Sequence, residues 1–501
     1  MSRILPVLFF VTVLANCVFA QDEREKTIRL PQSDVHYRMV KDYIEDVPDA
    51  DYKHASPEAY EAFRDIKYSI RIIWGVYSMQ NVEASWPFLK YSFAQRQEYQ
   101  NLYKNFNPTE FDAEEWMQWF DRCGMQAFAF ITKHHDGFSM WHTKARIKRR
   151  PNWLNPANQI IEKCDLAYSI EETPFKRDIV KELCDAANKH RIKIDLYFSH
   201  IDWYDTDFRG YHYHPLMTPE AVLHPKDFGY QTPQISGRLM TPNLTAEEKV
   251  RLVARHREQI RELLTNYGKV DMMCFDEYLG KDIWQEVKKT VKMIRELQPD
   301  IMLRCRGIGN YGDYYQPEGT IPVGKNSSAM PWMSICLLAK QFAYDPKAEN
   351  YKGAGWVIHS LIDCVAKGGS FMVCLGPDAK GNFHTKAVEQ LEEVGRWLKV
   401  NGQGIYETRD RQNWKEGGKD RPEIKYTWSK DKKFVYGFVE QFPEKELRIE
   451  TLTPQQIKSV KLLGYDKPLE WKAGGKGIVI TIPDALKRPC DYAWCFQAEI
   501  E

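Results

Sequence analysis

The feature that most constrains the fold of this chain is a helix-then-strand pattern that repeats over about 300 residues. Residues 177–190 and 246–267 carry apolar side chains at helical spacing, and each run leads into a short apolar stretch, residues 192–199 and 270–276. This pattern is typical of parallel β-strands joined by crossover helices, because parallel strands cannot be joined by a tight hairpin. We therefore predict an α/β fold, and among α/β folds a (β/α)-barrel.

The pattern changes after residue 400. Six short apolar runs then alternate with turn residues and have no helices between them, at 424–428, 434–439, 447–451, 460–463, 478–482 and 492–497. This spacing is typical of an antiparallel β-sandwich. Because 501 residues exceed what one core usually fills, we predict two domains, a (β/α)-barrel over residues 21–400 and a C-terminal β-sandwich over residues 401–501. The second domain has no evident catalytic group, and we expect it to pack against the barrel.

Residues 1–20 have the three parts of a secretory signal peptide. Arg3 supplies the positive charge, residues 5–18 form the apolar segment, and a small-residue cleavage site ends at Ala20. A lipoprotein anchored through Cys17 is the less favoured alternative. The chain is therefore predicted to be secreted or periplasmic. No other stretch reaches the roughly 18 apolar residues of a membrane span, so we predict no membrane span.

Charge and cysteine spacing restrict the possible partners. Lys and Arg number 70 and Asp and Glu number 69, so the chain lacks the excess positive charge that binds nucleic acids. The cysteines are scattered without CxxC pairs, and we predict no metal site and no cofactor. Cys490 and Cys495 are close enough in the sequence to form a disulfide in an oxidising compartment, which the sequence alone does not decide. The oligomeric state is equally open.

Two acidic residues are predicted to lie at one edge of the parallel sheet. Asp276 ends an apolar strand, a helix follows over residues 283–297, and a second strand is predicted over residues 301–306. Glu318 lies in the Gly-, Tyr- and Pro-rich loop after that strand, residues 307–322. Adjacent parallel strands end at the same edge, where barrel active sites lie. Two carboxyl groups facing one another are what glycoside hydrolysis requires.

The spacing alone leaves other roles open. An acid at a strand end more often caps a helix or forms an ion pair, and an acid in a loop is usually solvated. Glu277 is the local rival of Asp276, but strand alternation turns it to the other side of the sheet. Asp313 is the rival acid in the loop, and Tyr197 is equally compatible with a place in the core.

Several motifs cluster at the predicted strand ends. They are Lys133-His-His-Asp-Gly-Phe138, Leu196-Tyr-Phe-Ser-His-Ile-Asp-Trp203, Phe275-Asp276, Arg306 twelve residues before Glu318, and Lys367-Gly-Gly-Ser-Phe371 with Gly376-Pro-Asp378. Together they resemble the α-L-fucosidase family of retaining glycoside hydrolases, over residues 55–500. The resemblance implies a (β/α)-like barrel with a C-terminal β-sandwich, and the release of terminal L-fucose from a fucosylated oligosaccharide or glycoconjugate.

The resemblance also implies roles for individual positions. Asp276 matches the nucleophile, and Glu318 matches the general acid/base. The positions implied to bind the sugar are His134, His135, Tyr197, Arg306, Trp86 and Trp74. In this mechanism Asp276 attacks the anomeric carbon while Glu318 protonates the leaving oxygen. We expect the apolar surroundings of Phe275, Met273 and Tyr315 to keep Glu318 protonated near neutral pH.

Two positions depart from the family pattern. Ile73 precedes Trp74 where the family usually has a sugar-binding His, and Ala84 stands where it usually has Glu. Glu83 can take over that role only through a shift of one residue. A pocket built to hydrogen-bond hydroxyl groups discriminates strongly between sugars. The sequence therefore leaves open a hydrolase for a related sugar, such as an α-L-galactoside, or a sugar-binding protein without turnover.

Overall fold

The computed structural model describes residues 29–154, 160–211, 213–218, 239–325 and 328–501. The predicted signal segment, residues 1–20 with Cys17, lies outside these ranges and stays a prediction. Among the helices of the described ranges, none is both long and apolar enough to cross a membrane.

A seven-stranded parallel β-sheet forms the centre of the N-terminal part. Its strands, and those of a small hairpin, follow one another as β1 (Tyr68–Ile72), β2 (Ala127–Lys133), β3 (Ile147–Pro151), β4 (Ile161–Leu166), β5 (Lys193–Ser199), β6 (Met272–Asp276), β7 (Met302–Leu303), β8 (Met333–Leu337) and β9 (Ser370–Leu375). The order across the sheet is β7-β6-β5-β2-β1-β9-β8, with every neighbouring pair parallel. The antiparallel hairpin of β3 and β4 was not predicted from the sequence. The carboxyl ends of the sheet strands therefore lie at one edge.

Helices alternate with most of these strands, as the sequence pattern predicts. They are α1 (Val35–Val40), α2 (Pro57–Asp65), α3 (Phe93–Tyr99), α4 (Ala113–Arg122), α5 (Ile179–His190), α6 (Ala246–Thr265), α7 (Trp284–Leu297), α8 (Ala354–Ala366) and α9 (Thr385–Asn401). Helix α6 begins at a capping box in which Thr245 and Glu248 each accept a hydrogen bond from the other's backbone N–H. Its buried face includes Leu252, Ile260 and Leu263, which pack into the main core.

Residues 314–318, called the closing segment below, join the two edges of the sheet and close it into a ring. Tyr314 forms a parallel bridge with Arg304, just beyond β7, and Glu318 forms one with Ile335 in β8. The (β/α)-barrel prediction is confirmed, but the loop predicted around Glu318 is in part a strand-like segment. Its Gly, Tyr and Pro content hid this from the sequence analysis, because such residues usually mark turns.

The C-terminal strands form a β-sandwich, as predicted. They are β10 (Thr408–Gly418), β11 (Arg421–Ser429), β12 (Phe434–Val439), β13 (Glu446–Ile449), β14 (Ile457–Leu462), β15 (Trp471–Gly474), β16 (Gly477–Thr481) and β17 (Trp494–Ile500), of which β10 and β15 were not predicted. A five-stranded sheet, β10-β11-β12-β17-β14, and a three-stranded sheet, β13-β16-β15, are both antiparallel. Side chains from both sheets, among them Tyr426, Leu447, Ile480 and Phe496, share one buried core.

The two parts of the chain contact each other through α9. The indole N–H of Trp397 donates to the carbonyl of Ala493 at 2.8 Å. Helix α9 ends at Asn401 and β10 begins at Thr408, while the division at residues 400 and 401 stays a prediction. The ten cysteines of the described ranges, Cys490 and Cys495 included, are free thiols.

Asp313 anchors the start of the closing segment. Its side chain is fully buried, and its carboxylate accepts hydrogen bonds from Arg295, from the Tyr60 hydroxyl at 3.0 Å and from the backbone N–H of Leu303 at 2.8 Å. His54 Nδ1 lies 3.0 Å from the same carboxylate. Burial opposes ionisation, but Arg295 and His54 lower the pKa of Asp313 below its usual range. The ionised carboxylate therefore ties α2, α7 and β7 to the closing segment.

We expect Asp313→Asn to lower the free energy of unfolding by about 3–5 kcal/mol, because the change leaves the buried Arg295 guanidinium without its charged partner. Urea denaturation followed by circular dichroism measures the difference. Asp300→Asn, at an exposed position beyond α7, is the matched control and should change stability by less than about 0.5 kcal/mol. Equal stability of the two variants would contradict the anchoring role of Asp313.

Candidate active site

A cavity of about 800 Å³ opens at the carboxyl ends of the barrel strands. The predicted site residues that line it are His134, Tyr197, Asp276, Arg306, Glu318 and Trp86. They come from the ends of β2, β5, β6 and β7, from the closing segment and from the chain after β1. A second cavity of about 500 Å³, lined by parts of residues 51–60 and 292–300, contains none of the predicted site residues. Barrel active sites are built from strand ends in this way, so the larger cavity is the candidate active site.

Asp276 is held as a carboxylate at the floor of the cavity. The Tyr197 hydroxyl and an Arg306 guanidinium nitrogen both donate to it, and His135 Nε2 lies 3.8 Å away. Burial alone would raise the pKa of Asp276, but the charges of Arg306 and Arg304 lower it well below its usual range. A carboxylate that is ionised and fixed in one orientation is suited to nucleophilic attack.

Glu318 shares Arg306 with Asp276. The second terminal nitrogen of Arg306 donates to Glu318 at 2.7 Å, and an Arg304 nitrogen lies 3.5 Å from the same oxygen. Burial pushes the pKa of Glu318 upward, but Arg306 outweighs it and the pKa is lowered. The expectation that apolar neighbours keep Glu318 protonated is therefore wrong for the free protein. Since one guanidinium binds both groups, the two carboxyl groups lie close together in the cavity.

Trp86 and His134 line the cavity on the β2 side, whereas the predicted sugar-binding residue His135 is fully buried and absent from the lining. His134 Nδ1 hydrogen-bonds the Ser85 hydroxyl at 2.5 Å, and His135 Nδ1 hydrogen-bonds the Ser199 hydroxyl at 2.7 Å. The indole of Trp86 packs edge-to-face on the His135 ring, with ring centres 4.7 Å apart. Burial and the neighbouring His135 hold the pKa of His134 well below its usual range, so its imidazole is neutral. This wall combines an apolar ring with neutral hydrogen-bonding groups, as sugar recognition requires.

Trp74 does not line the cavity, which corrects its predicted role in sugar binding. Its side chain is fully buried, and its indole N–H donates to the carbonyl of Asp378 at 2.9 Å. Its ring packs against Phe106, Phe111 and Trp116, with ring centres 5.3–5.8 Å apart. Trp74 is therefore a core residue beside the site.

Glu277 and Asp313 are the acids that the sequence left as alternatives to Asp276 and Glu318, and the structure places them differently. Glu277 lines the cavity, although strand alternation predicted the opposite side. β6 ends at Asp276, and Glu277 has a left-handed backbone, with φ of 59°, so the alternation of a strand no longer applies. Asp313 is absent from the cavity lining and belongs to the buried ion pair with Arg295.

The two departures from the family pattern lie together in the cavity wall, where Glu83 joins them. Ile73, Ala84 and Glu83 all line the cavity. One Glu83 oxygen accepts a hydrogen bond from the backbone N–H of Phe342 at 2.8 Å, and the other is buried without a partner among the described residues. Burial raises the pKa of Glu83 to about 7. A half-buried carboxyl group with one unused oxygen is therefore available beside the apolar positions 73 and 84.

A stretch of the wall comes from a segment that the sequence analysis did not single out. Asp34, Val35, His36 and Met39, in and around α1, line the cavity. No motif marks these residues, because the segment is short and polar and its place depends on long-range packing. Among the described residues, no group of three or more His, Cys, Asp and Glu side chains is arranged to hold a metal ion.

Two family models match most of the chain. The model for alpha-L-fucosidase matches residues 45–403, and the model for the alpha-L-fucosidase C-terminal domain matches residues 419–499. Among curated proteins, the chain is 24% identical to plasma alpha-L-fucosidase of Homo sapiens over 458 residues, which cover 86% of this chain and 88% of that protein.

Solved structures share the fold. One is alpha-L-fucosidase isoenzyme 1 from Paenibacillus thiaminolyticus, with a TM-score of 0.70, 23% identity and coverage of 89% of this chain and 99% of that one. Another is a Bacteroides thetaiotaomicron alpha-L-fucosidase described as a trapped covalent intermediate, with a TM-score of 0.69, 22% identity and coverage of 90% and 98%. At these identities the likeness concerns the fold.

We expect Glu83→Gln to make the protein more stable than wild type above neutral pH. The folded pKa of about 7 exceeds that of a free glutamate, so wild-type stability falls as the pH rises from about 4.5 to about 7 and stays lower above that. The glutamine lacks this fall, and its advantage should reach on the order of 1–3 kcal/mol at pH 8, since the group is partly exposed.

Urea denaturation at several pH values measures this difference. Glu98→Gln, at an exposed position in α3, is the control and should follow the wild-type pH dependence. A constant difference between Glu83→Gln and wild type from pH 4.5 to 8 would contradict the raised pKa.

Proposed function

Because this chain belongs to the alpha-L-fucosidase family, we propose that it is an exported enzyme that removes terminal L-fucose from glycans by a double displacement. Members of this family are glycoside hydrolases. The observation that carries the proposal is the arrangement of Asp276 and Glu318, which share the guanidinium of Arg306 at the floor of the strand-end cavity. Two carboxyl groups on opposite sides of a glycosidic bond are the minimum machinery for its hydrolysis.

In the first step Asp276 attacks the anomeric carbon, and the bond to the leaving oxygen breaks as Glu318 gives that oxygen a proton. This forms a glycosyl ester on Asp276. In the second step Glu318 takes a proton from water, the water oxygen attacks the anomeric carbon, and the ester bond breaks to restore Asp276. Tyr197 and Arg306 orient Asp276 for attack, and Arg306 compensates the negative charge on the two acids.

The ion pair with Arg306 keeps Glu318 in its deprotonated form in the free protein. Its lowered pKa means that the protonated form needed in the first step becomes scarcer as the pH rises. Burial by a bound sugar raises the pKa of a carboxyl group and favours that form. For substrates with poor leaving groups, the rate should therefore rise as the pH falls toward the pKa of Glu318, whereas activated aryl fucosides should depend less on pH.

The test of the proposed function is a pair of substitutions assayed on an aryl α-L-fucoside. Asp276→Asn should lower kcat by about 10³-fold or more, because the amide cannot act as the nucleophile. Glu318→Gln should lower kcat/KM by about 10²-fold or more for a poor leaving group and by much less for a good one, because only the first step needs the acid. Azide should restore turnover of Glu318→Gln, and NMR should detect the α-anomer of L-fucose as the first product of wild type.

Asp313→Asn is the control acid for this experiment, because Asp313 does not line the cavity. At a temperature where this variant is folded, its kcat should stay within about two-fold of wild type. Unchanged turnover in Asp276→Asn, or release of the β-anomer, would contradict the double displacement.

The paired tryptophans 74 and 86 test the assignment of the sugar pocket. Trp86→Ala should raise KM for the aryl fucoside by about 10-fold, because the indole forms the apolar face of the pocket. Trp74→Phe should lower the midpoint of thermal unfolding and leave KM within about two-fold, because Trp74 lies in the core. The opposite result, with KM raised by the change at Trp74 alone, would overturn this assignment.

The apolar pair Ile73 and Ala84 in the cavity wall favours a second candidate, a hydrolase of the same mechanism for a related sugar. A site that loses hydrogen-bonding partners loses discrimination between sugars that differ in one hydroxyl group. Parallel assays with aryl α-L-fucoside and aryl α-L-galactoside distinguish the two candidates by kcat/KM. Binding of either sugar without release of the aryl group would instead identify a sugar-binding protein.

A further inference from the structure

The N-terminal segment formed by residues 29–44 precedes the part of the chain that the family model matches, which begins at residue 45. Nevertheless, residues of this segment from Pro31 to Met39 line the active-site cavity. This part of the cavity wall therefore lies outside the residues that the family model matches.

The segment is fixed to the barrel at both ends. The backbone N–H of Leu30 donates to the side-chain oxygen of Asn310 at 2.8 Å, and the Tyr43 hydroxyl donates to the carbonyl of Leu279 at 2.8 Å. Directly after Tyr43, Ile44 packs closely on Gly309, where a Cβ atom would come within 2.9 Å of the isoleucine side chain. Met39, Val40 and Ile44 are buried in the main core. The segment is therefore anchored to the barrel and forms part of the cavity wall.

His36 is the residue of this segment that lines the cavity with an unsatisfied hydrogen-bonding group in its side chain. Its Nδ1 atom is buried and has no hydrogen-bond partner among the described residues. Burial, together with the charges of Arg306 and Arg304, holds the pKa of His36 well below its usual range, so the ring is neutral. A neutral imidazole nitrogen without a partner in a buried site costs free energy, which a hydroxyl group of a bound molecule would recover.

The strand order and the contacts of the segment together indicate on which side of the cavity His36 lies. β1, which leads to Ile73, and β2, which leads to His134, are separated from β7 by β5 and β6, so they form the opposite side of the barrel from Arg306. The wall with the sugar-pocket rings is thus across the cavity from the segment. The segment contacts the loop after β7 at Gly309 and Asn310, and the closing segment, which carries Glu318, pairs with the chain at the end of β7.

Glu318 delivers its proton to the leaving oxygen in the proposed mechanism, so the side of the cavity that carries Glu318 receives the leaving group. His36 lines the same cavity as Asp276 and Glu318, and its segment packs on the loop after β7, beside the closing segment that carries Glu318. We propose that His36 hydrogen-bonds a hydroxyl group of the first sugar of the leaving group and thereby selects the glycan that is cleaved. This inference rests on the proposed function of the same cavity.

The test compares His36→Ala, His36→Gln and wild type on two kinds of substrate. Fucosyl disaccharides of different linkage are screened, and the one that wild type cleaves best is compared with an aryl α-L-fucoside. His36→Ala should lower kcat/KM for the disaccharide by about 10-fold, mainly through KM, and change the value for the aryl fucoside by less than about two-fold. His36→Gln retains a hydrogen-bonding side chain and should recover part of the loss.

Arg38→Ala is the matched control, because Arg38 is an exposed residue of the same helix α1 and does not line the cavity. It should behave as wild type with both substrates. Equal losses on disaccharide and aryl fucoside, or no loss on either, would overturn the assignment of His36 to the leaving group. Thermal unfolding midpoints of the three variants identify any loss that comes from unfolding.

Failure of the proposed function has a different signature. In that case wild type releases sugar from neither substrate, and calorimetric titration of the disaccharide and of L-fucose then decides on His36. An affinity for the disaccharide that falls about 10-fold in His36→Ala, with L-fucose affinity unchanged, supports the inference. Equal affinities of wild type and His36→Ala, or the absence of binding by wild type, overturn it.

Discussion

The active site depends on the pairing of buried arginines with carboxylates at the ends of the barrel strands. Arg304 and Arg306 lie within ion-pairing distance of Asp276 and Glu318 in a region where little of either arginine reaches solvent. Removing such charges from water costs free energy that only their partners offset, so neither the acids nor the arginines are tolerated alone. The same interaction sets the protonation states, because it holds Asp276, the proposed nucleophile, ionised and leaves Glu318, the proposed acid/base, to gain its proton when a substrate excludes water.

The sequence predicts the barrel well where an apolar run meets a cap. The pair Thr245 and Glu248 marks the start of α6 as a capping box. The apolar run that ends at Asp276 marks β6. The segment around Glu318 was not predicted as a strand, because its barrel pairing is made with both neighbours through residues typical of turns. Its role as acid/base could be proposed only from the resemblance, not from its local pattern.

Other features of the site depend on tertiary packing and cannot be predicted from the periodicity of the sequence. The left-handed backbone at Glu277 brings that side chain into the cavity against strand alternation. Trp74 and Trp86 both fall in motifs of the resemblance, yet one indole is enclosed by the core and the other faces the cavity. His36 reaches the cavity because its helix packs on the loop after β7, a contact between residues far apart in the sequence. Such positions are set by tertiary packing and not by local preference.

Ring closure and assembly of the proposed catalytic pair are the same structural event in this barrel. Glu318 lies on the segment that bridges β7 and β8, so until that segment docks the sheet has an open seam and the acid has no fixed position opposite Asp276. A folding intermediate with most of its helices and strands in place would still be inert. Recovery of turnover during refolding would accordingly time the sealing of the seam, while circular dichroism would follow the earlier formation of secondary structure.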